Sequence, residues 1–455
     1  MNRQEAEDII YASYLEAQKY QNYEDPDSKK RHPEYTEELT EGLGKGVPGH
    51  TICVTGSKGK GSVSMMLSEM GQALGYRTGL LTSPHIKDFN ERIRFQGEMI
   101  SDSDFTRCVE ATEDILSSVK PQVKQGTYIS PMGYQALVAL RYFREKRANL
   151  RIMECGKGAK YDDVAHVPHD IAIINNVFLE HTRELGDTLE SIAGDKSHIL
   201  RKNCRYGIIG PQMDNIDRIF IERAKKTGTK LLIYGRDFWV KDVSYSKEGM
   251  RFTYVFSGVS FPETMGLPLE GKMEFSVPLL GEHQARNAAL AITAMLLIDP
   301  SVREKQEALQ AALQRVVWPG RMEIKSQHPF TILDATINRE SAKAVKRVLH
   351  ELEMHRVTLI VGIPDDKDYV GVVEELQDYT NCLILTGSKN PHYVFTKKQV
   401  ETLSEMGHRA DWIDDTEKAY HMAKKYAAEE ETPIVILGTT SVISEYTEMF
   451  QKELS

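Results

Sequence analysis

Residues 51–74 read as a short apolar strand, a turn dense in glycine and lysine, and then a helix, an order that few folds accommodate. The strand Thr51–Val54 runs into Thr55-Gly56-Ser57-Lys58-Gly59-Lys60-Gly61-Ser62. The helix Gly61–Leu74 follows, and a second strand, Thr78–Thr82, comes directly after it. Parallel strands need such a crossover, so this unit implies a parallel sheet. Where a strand passes through a turn into a helix, stacked backbone N–H groups and the helix N-terminus attract phosphate. Glycine at 56, 59 and 61 lets the backbone turn tightly and approach a nucleotide without Cβ clashes. Lys60 can reach β- and γ-phosphates, and Ser62 can face phosphate or Mg²⁺. Ser57 and Lys58 complete the turn, with Lys58 either assisting phosphate or simply solvated. The spacing G-x-x-G-K-G-S is shorter than the usual G-x-x-x-x-G-K-[ST].

The rest of the chain extends this pattern. Residues 3–20 form a leading helix, and a polar stretch with Pro and Gly, Tyr23–Gly49, reads as loop. Strands are expected at Leu150–Met153 and Ile171–Asn175, with helices between. From Leu231 to Leu280 the period changes to two, as in Arg251-Phe-Thr-Tyr-Val-Phe, which indicates an antiparallel layer. A helix, Gln284–Ile298, closes this half, and Asp299–Trp318 reads as a junction. Strands recur at Thr331–Asp334, Val357–Val361, Cys382–Thr386 and Ile434–Leu437, with helices Arg339–Leu352 and Thr416–Ala428 among them. The expected architecture is α/β. A large P-loop-type, mostly parallel sheet domain carries helices on both faces and an added antiparallel layer (1–299, with a helical lead-in). A smaller C-terminal Rossmann-like α/β domain spans 300–455.

Composition narrows the function classes. The 455 residues exceed one compact core, and 41% hydrophobic with 27% charged residues is a soluble balance. A net charge of −9 gives no overall attraction to nucleic acid or anionic lipid. No run reaches the roughly 18 apolar residues of a membrane helix, and the acidic start (MNRQEAEDII) is unlike a secretory signal. Cys53, Cys108, Cys155, Cys204 and Cys382 are scattered, which suits a reducing cytoplasm and opposes a disulfide frame or zinc site.

The short loop T-G-x-x-G-K-G-S resembles that of the Mur ligase superfamily, and within it the folylpolyglutamate synthase and dihydrofolate synthase branch. Ser83-Pro-His85 with Phe89-Asn-Glu-Arg-Ile-Arg94 resembles the branch's S-P-H…F-N-E-R-I-R. Met153-Glu154-Cys-Gly156-Lys-Gly158 is similar to its E-V-G-L-G-G strand end. Leu179-Glu-His181-Thr-Arg-Glu-Leu-Gly186 resembles L-D-H-T-x-x-L-G, with Asp195-Lys196 at the expected distance. Gly281-Glu-His283-Gln284-Ala-Arg-Asn287-Ala, Trp318-Pro-Gly-Arg321 and Asp366-Lys367-Asp368 continue the match in order.

The resemblance implies that a carboxylate takes the γ-phosphoryl group of ATP, after which an amine displaces phosphate and an amide forms. It places Ser83 and Glu154 on one Mg²⁺ beside the loop, where Ser62 also points. His181 and Lys196 would hold a second Mg²⁺, with Lys196 carbamylated. Lys60, His181 and Lys196 are thus the expected catalytic residues. Asn287 would bind the adenine edge, His283 and Gln284 would line its pocket, and Arg321 and Asp334 would contact phosphates and ribose. The expected partners are a small carboxylate acceptor and an amino acid, glutamate favoured, with neither nucleic acid nor membrane.

Departures fall on the substrate side. The branch's L-D-G-A-H-N-P is Leu333-Asp334-Ala-Thr336-Ile337-Asn338-Arg339 here, so Ile337 replaces a histidine. Lys157 adds a charge, Lys160 replaces an arginine and its bidentate fork, and Ala165 replaces an asparagine. Besides a folate acceptor, these changes leave open a ligase with another acceptor and a silent ATP-binding subunit that works through a partner.

Overall fold

A computed structural model describes the chain apart from residues 23, 24, 45, 119, 121, 122, 214, 215, 263–269 and 455. Part of the expected antiparallel layer, 263–269, therefore lies outside the described residues. The chain packs into two compact units. Met1–Lys241, Thr253–Met273 and Arg286–Leu313 form the first, and Asp242–Phe252, Glu274–Ala285 and Gln314–Ser455 the second. The chain thus passes between units several times rather than once at 299/300.

The first unit is built on eight strands: β1 (His50–Thr55), β2 (Thr78–Leu81), β3 (Ile93–Phe95), β4 (Glu98–Met99), β5 (Leu150–Glu154), β6 (Ile171–Ile174), β7 (Tyr206–Ile209) and β8 (Lys230–Ile233). Their order is β4-β3-β2-β5-β1-β6-β7-β8, with β3 and β4 antiparallel at one edge and the rest parallel. Interior strands such as β5 and β6 are buried at every position, because helices cover both faces. Those helices are α1 (Arg3–Gln18), α2 (Asp27–Lys30), α3 (Glu34–Gly44), α4 (Lys60–Ala73), α5 (Asp102–Leu116), α6 (Pro131–Glu145), α7 (Thr182–Leu185), α8 (Leu189–Lys196) and α9 (Asp217–Thr227). A long helix, α10 (Glu282–Ile298), and α11 (Gln306–Gln314) follow a separate sheet ordered β11-β10-β9, made of β9 (Phe238–Ser246), β10 (Gly249–Ser257) and β11 (Glu270–Val277).

Two stretches expected as irregular are helical. Within Tyr23–Gly49, α3 sets Tyr35, Leu39 and Leu43 four residues apart, on a face packed against the core. Pro33 reads as a breaker but stands just before the first turn, where a missing N–H costs nothing. The junction Asp299–Trp318 contains a 3₁₀ turn, Pro300–Arg303, and α11.

The second unit carries a six-stranded sheet in the order β12-β13-β17-β14-β15-β16. Its strands are β12 (Glu323–Gln327), β13 (Phe330–Asp334), β14 (Val357–Gly362), β15 (Thr380–Leu385), β16 (Asp411–Trp412) and β17 (Ile434–Gly438). Only the β12–β13 pair is antiparallel. Helices α12 (Arg339–Glu351), α13 (Tyr369–Leu376), α14 (Lys398–Glu405), α15 (Thr416–Glu430) and α16 (Thr440–Leu454) alternate with the strands. Tyr420 packs edge-on against Tyr446 and Phe450, with ring centroids 6.4 and 5.0 Å away.

In the first unit, β2 passes α6 at Gly79, where a Cβ would fall 2.6 Å from the Phe143 ring. Phe143 is fully buried there. Replacing Phe143 by Ala should therefore cost about 3–5 kcal/mol in the unfolding transition of this unit, read by urea titration. A loss below about 1 kcal/mol would mean that the gap closes by relaxation.

Candidate functional site

Register brings the expected residues to one end of the first sheet. Val54 of β1 pairs with Glu154 at the end of β5, and Thr55 with Ile174 at the end of β6. The turn 55–62, Glu154 and Asn175 thus share the carboxyl ends of adjacent strands, where open α/β sheets bind ligands.

Two glycines of the turn are required by its shape. Gly56 has φ +145°, and a Cβ there would lie 2.8 Å from the Asn175 Cβ. Gly59 caps α4 with φ +78°, and its Cβ would fall 2.5 Å from Asn175 Nδ2 and 2.6 Å from Asn287 Oδ1. Those amides also bond each other, since Asn175 Nδ2 donates to Asn287 Oδ1 at 2.8 Å. The turn is tied down further along: Ser57 N donates to Asn176 O at 2.8 Å, Lys58 N to Asn176 Oδ1 at 3.4 Å, and Ser57 Oγ to Phe178 O at 3.2 Å. Ser62 is buried in the first turn of α4.

Two cations converge on one carbonyl. Lys60 Nζ reaches Gly56 O at 3.0 Å and Lys196 Nζ reaches the same oxygen at 3.1 Å. Lys196 closes α8 with its side chain 1% exposed, and its ion-pair partner is Glu180 at 3.1 Å, the residue before His181. Burial, and then the Lys60 ammonium, push the Lys196 pKa below the usual lysine value, against the pull of Glu180.

The donors suited to a hard cation lie beside this turn. Glu154 is buried, and its Oε2 accepts the Ser83 N–H at 3.0 Å. With the Ser62 and Ser83 hydroxyls this is an all-oxygen set, as Mg²⁺ prefers. Among the described residues no group of three or more His, Cys, Asp or Glu could hold a metal ion. An ion at Glu154 would complete its shell with phosphate and water oxygens. His181 starts α7 in the left-handed region, φ +46°. Desolvation holds its imidazole below the ordinary value, which favours the neutral form that can ligate. Lys196 as an ammonium has no lone pair to offer, so the donors for a second ion fit only after carbamylation.

Within the second unit, the Trp318-Pro-Gly-Arg321 turn is held against β13. Met322 N donates to Asp334 Oδ2 at 2.8 Å, Thr336 Oγ1 to Asp334 Oδ1 at 2.5 Å, and Ala335 N to Gly320 O at 2.9 Å. Gln284 Nε2 reaches the Arg321 carbonyl at 3.4 Å. Arg321 and Asp334 are thus neighbours in this unit, with the Arg321 side chain exposed.

Comparison with known proteins gives the family of the chain. The model of the Mur ligase middle domain matches residues 54–295, and that of the Mur ligase glutamate ligase domain matches 320–440. The chain belongs to the Mur ligase family. It is an ATP-dependent acid–amino-acid ligase, forming a C–N bond. It is 26% identical over 409 residues to folylpolyglutamate synthase of Lacticaseibacillus casei, covering 87% of this chain and 89% of that protein. It is also 26% identical to the dihydrofolate synthase/folylpolyglutamate synthase of Bacillus subtilis, over 86% of this chain and 88% of the relative. The fold matches the apo form of the L. casei enzyme with a TM-score of 0.78 at 23% identity, over 100% of each chain. It matches Mycobacterium tuberculosis folylpolyglutamate synthase complexed with ADP and AMPPCP with a TM-score of 0.77 at 22% identity, over 93% of this chain and 95% of that one.

Asn175, Asn176, Phe178 and Glu180 escaped the sequence reading as partners of the turn. The Asn-Asn pair straight after an apolar strand was the available signal, since amides at a strand's carboxyl end have backbone to hold. Replacing Gly59 by Ala forces a left-handed alanine, costing about 1–2 kcal/mol, and drives a methyl into both amides. Affinity for a non-hydrolysable ATP analogue, measured by calorimetry, should fall at least about tenfold. Unchanged affinity would show that the turn does not cradle the nucleotide.

Proposed function

We propose that this ligase joins glutamate to the carboxylate of a folate-type acceptor in the cytoplasm. The γ-phosphoryl group of ATP passes to the acceptor carboxylate, and the glutamate amine then displaces phosphate. The approach of Lys60 Nζ to the Gly56 carbonyl at 3.0 Å supports this reading most directly, because a lysine at the turn would offset the negative charge that develops in phosphoryl transfer. A bound Mg²⁺ would supply positive charge against the phosphates. In this scheme Glu154, Ser62 and Ser83 hold one ion, while His181 and a carbamylated Lys196 hold another. Asn287 meets the adenine, and Arg321 and Asp334 serve the phosphates and ribose. The downward shift of the Lys196 pKa, caused first by burial, is in the direction that carbamylation needs, since only a neutral amine adds carbon dioxide.

Relatives named for folate and glutamate chemistry support the substrate choice. An acceptor other than folate is favoured by one feature, the half-buried Ile337 in place of the family's histidine. The test is phosphate release from ATP with a panel of acids and amino acids, products being identified by mass spectrometry. Release should require both folate and glutamate, and Lys60→Ala should reduce it at least about a thousandfold. Turnover with another acid but not folate would replace the acceptor. Tight ATP binding without turnover on any pair would favour a silent subunit.

The second ion can be checked separately. His181→Ala and Lys196→Met should both shift the Mg²⁺ activation curve to higher concentration. Labelled bicarbonate should give a carbamate signal by NMR in the parent and be lost in Lys196→Met. Curves that superimpose on the parent's, or a parent without the signal, would remove this ion from the mechanism.

A further inference from the structure

We propose that Arg31, in the helical lead-in, is a positioning residue for the ligase reaction: it neutralises Asp162 and Asp163 and so fixes the loop 155–160 that joins Glu154 to the phosphate turn and to Lys196. The role rests on the reading of Glu154 and Lys196 given above.

The loop is held at both ends by carboxylates. Asp162 Oδ2 accepts N–H bonds from Gly156 at 3.0 Å and Lys157 at 3.1 Å, and its Oδ1 accepts from Val164 at 3.1 Å. Asp195, the neighbour of Lys196, accepts from Ala159 at 2.7 Å and Lys160 at 3.2 Å. Between them, Thr55 Oγ1 at the start of the phosphate turn donates to Gly158 O at 2.8 Å. A displacement of this loop therefore moves Glu154, the turn and α8 together.

Asp162 is 0% exposed and Asp163 3%, so each needs a compensating charge. The Arg31 guanidinium supplies it, 3.7 Å from Asp162 and 3.6 Å from Asp163, and also 3.7 Å from Asp27. Burial pushes the Asp162 carboxyl up, and Arg31 is the strongest influence against that. Asp163 is fixed in turn by hydroxyls, Thr36 Oγ1 of α3 at 2.7 Å and the Ser130 cap of α6. The same lead-in reaches the loop a second time: Lys157 pairs with Asp27 at 3.0 Å and with Glu184 of α7, the helix behind His181, at 3.5 Å. Residues 27–40 lie before the matched middle domain, which starts at 54, yet they hold the loop that carries its buried carboxylate.

The experiment compares Arg31→Met with Ile10→Ala, a core change in α1 chosen to lower Tm by a similar amount. Hydrogen exchange in 155–160 should quicken in Arg31→Met alone. In the ligase assay its kcat should fall about a hundredfold, as a misplacement of about 1 Å can cause. Its Mg²⁺ half-saturation should rise, with KM for ATP unchanged. Exchange and kcat equal to those of Ile10→Ala would overturn the proposal. If Arg31→Met does not fold, Thr36→Val removes one bond to Asp163 and should cost about tenfold in kcat with quicker loop exchange. Parent-like exchange in that variant would overturn the proposal equally. Because loop exchange needs no turnover, a parent inactive on every substrate pair would sink the proposed function and leave this test standing.

Discussion

Two lysine side chains meet at one carbonyl oxygen, where two full charges would repel each other. Reaching Gly56 O at 3.0 and 3.1 Å puts Lys60 and Lys196 within about 6 Å of each other, a repulsion of about 3 kcal/mol at an effective dielectric near 20. Lys196 bears it while buried, with Glu180 as its counterion. Burial and this repulsion both disfavour the Lys196 ammonium, which is the direction that the proposed carbamylation requires. The sheet register sets the turn beside Glu154, the Asn175–Asn287 pair walls Gly59, and Lys196 at the end of α8 reaches the Gly56 carbonyl. Under the proposed function, a Lys60 already fixed at the turn costs no reorganisation at the moment of reaction.

What could be read from sequence follows from the range of the forces involved. Buried parallel strands are continuous apolar runs, so β1, β5, β6, β14 and β17 were legible to within a residue or two. The glycines of the phosphate turn were legible because backbone conformation at φ +78° admits little else. α3 was not legible, since Pro33 and the glycines near its end look like breakers and its apolar face has three half-buried residues. The ion pair of Lys196 was hidden for a different reason. Glu180 lies sixteen positions away in a loop, and nothing local marks two such residues as partners.

The departures from the family pattern have physical accounts that do not all point the same way. Lys157 is no free charge, because Asp27 and Glu184 absorb it. Lys160 lies over the Tyr161 ring, with Nζ 5.1 Å from its centroid. Ala165 is fully buried among apolar neighbours, so an asparagine there would need a partner that the core does not supply. Ile337 differs. It precedes Asn338, whose side chain caps α12 in a capping box with Ser341, so the helix start is kept while the hydrogen-bonding side chain is gone.

This contrast separates what holds the nucleotide from what selects the acid. On the proposed reading, phosphate meets backbone N–H groups and lysines, which are indifferent to the acceptor and depend only on the strand–turn–helix geometry. Selection depends on side chains that approach the acceptor, and those can change without touching β1, α4 or Glu154. A buried ion network such as Arg31 with its aspartates is expensive to assemble and destabilising to break. It constrains the loop that both halves share, so the acceptor side can drift in sequence only as far as this loop stays in place. Substitutions at 157, 160 and 165 fit that limit, since the amides of 156, 157, 159 and 160 keep their carboxylate partners throughout.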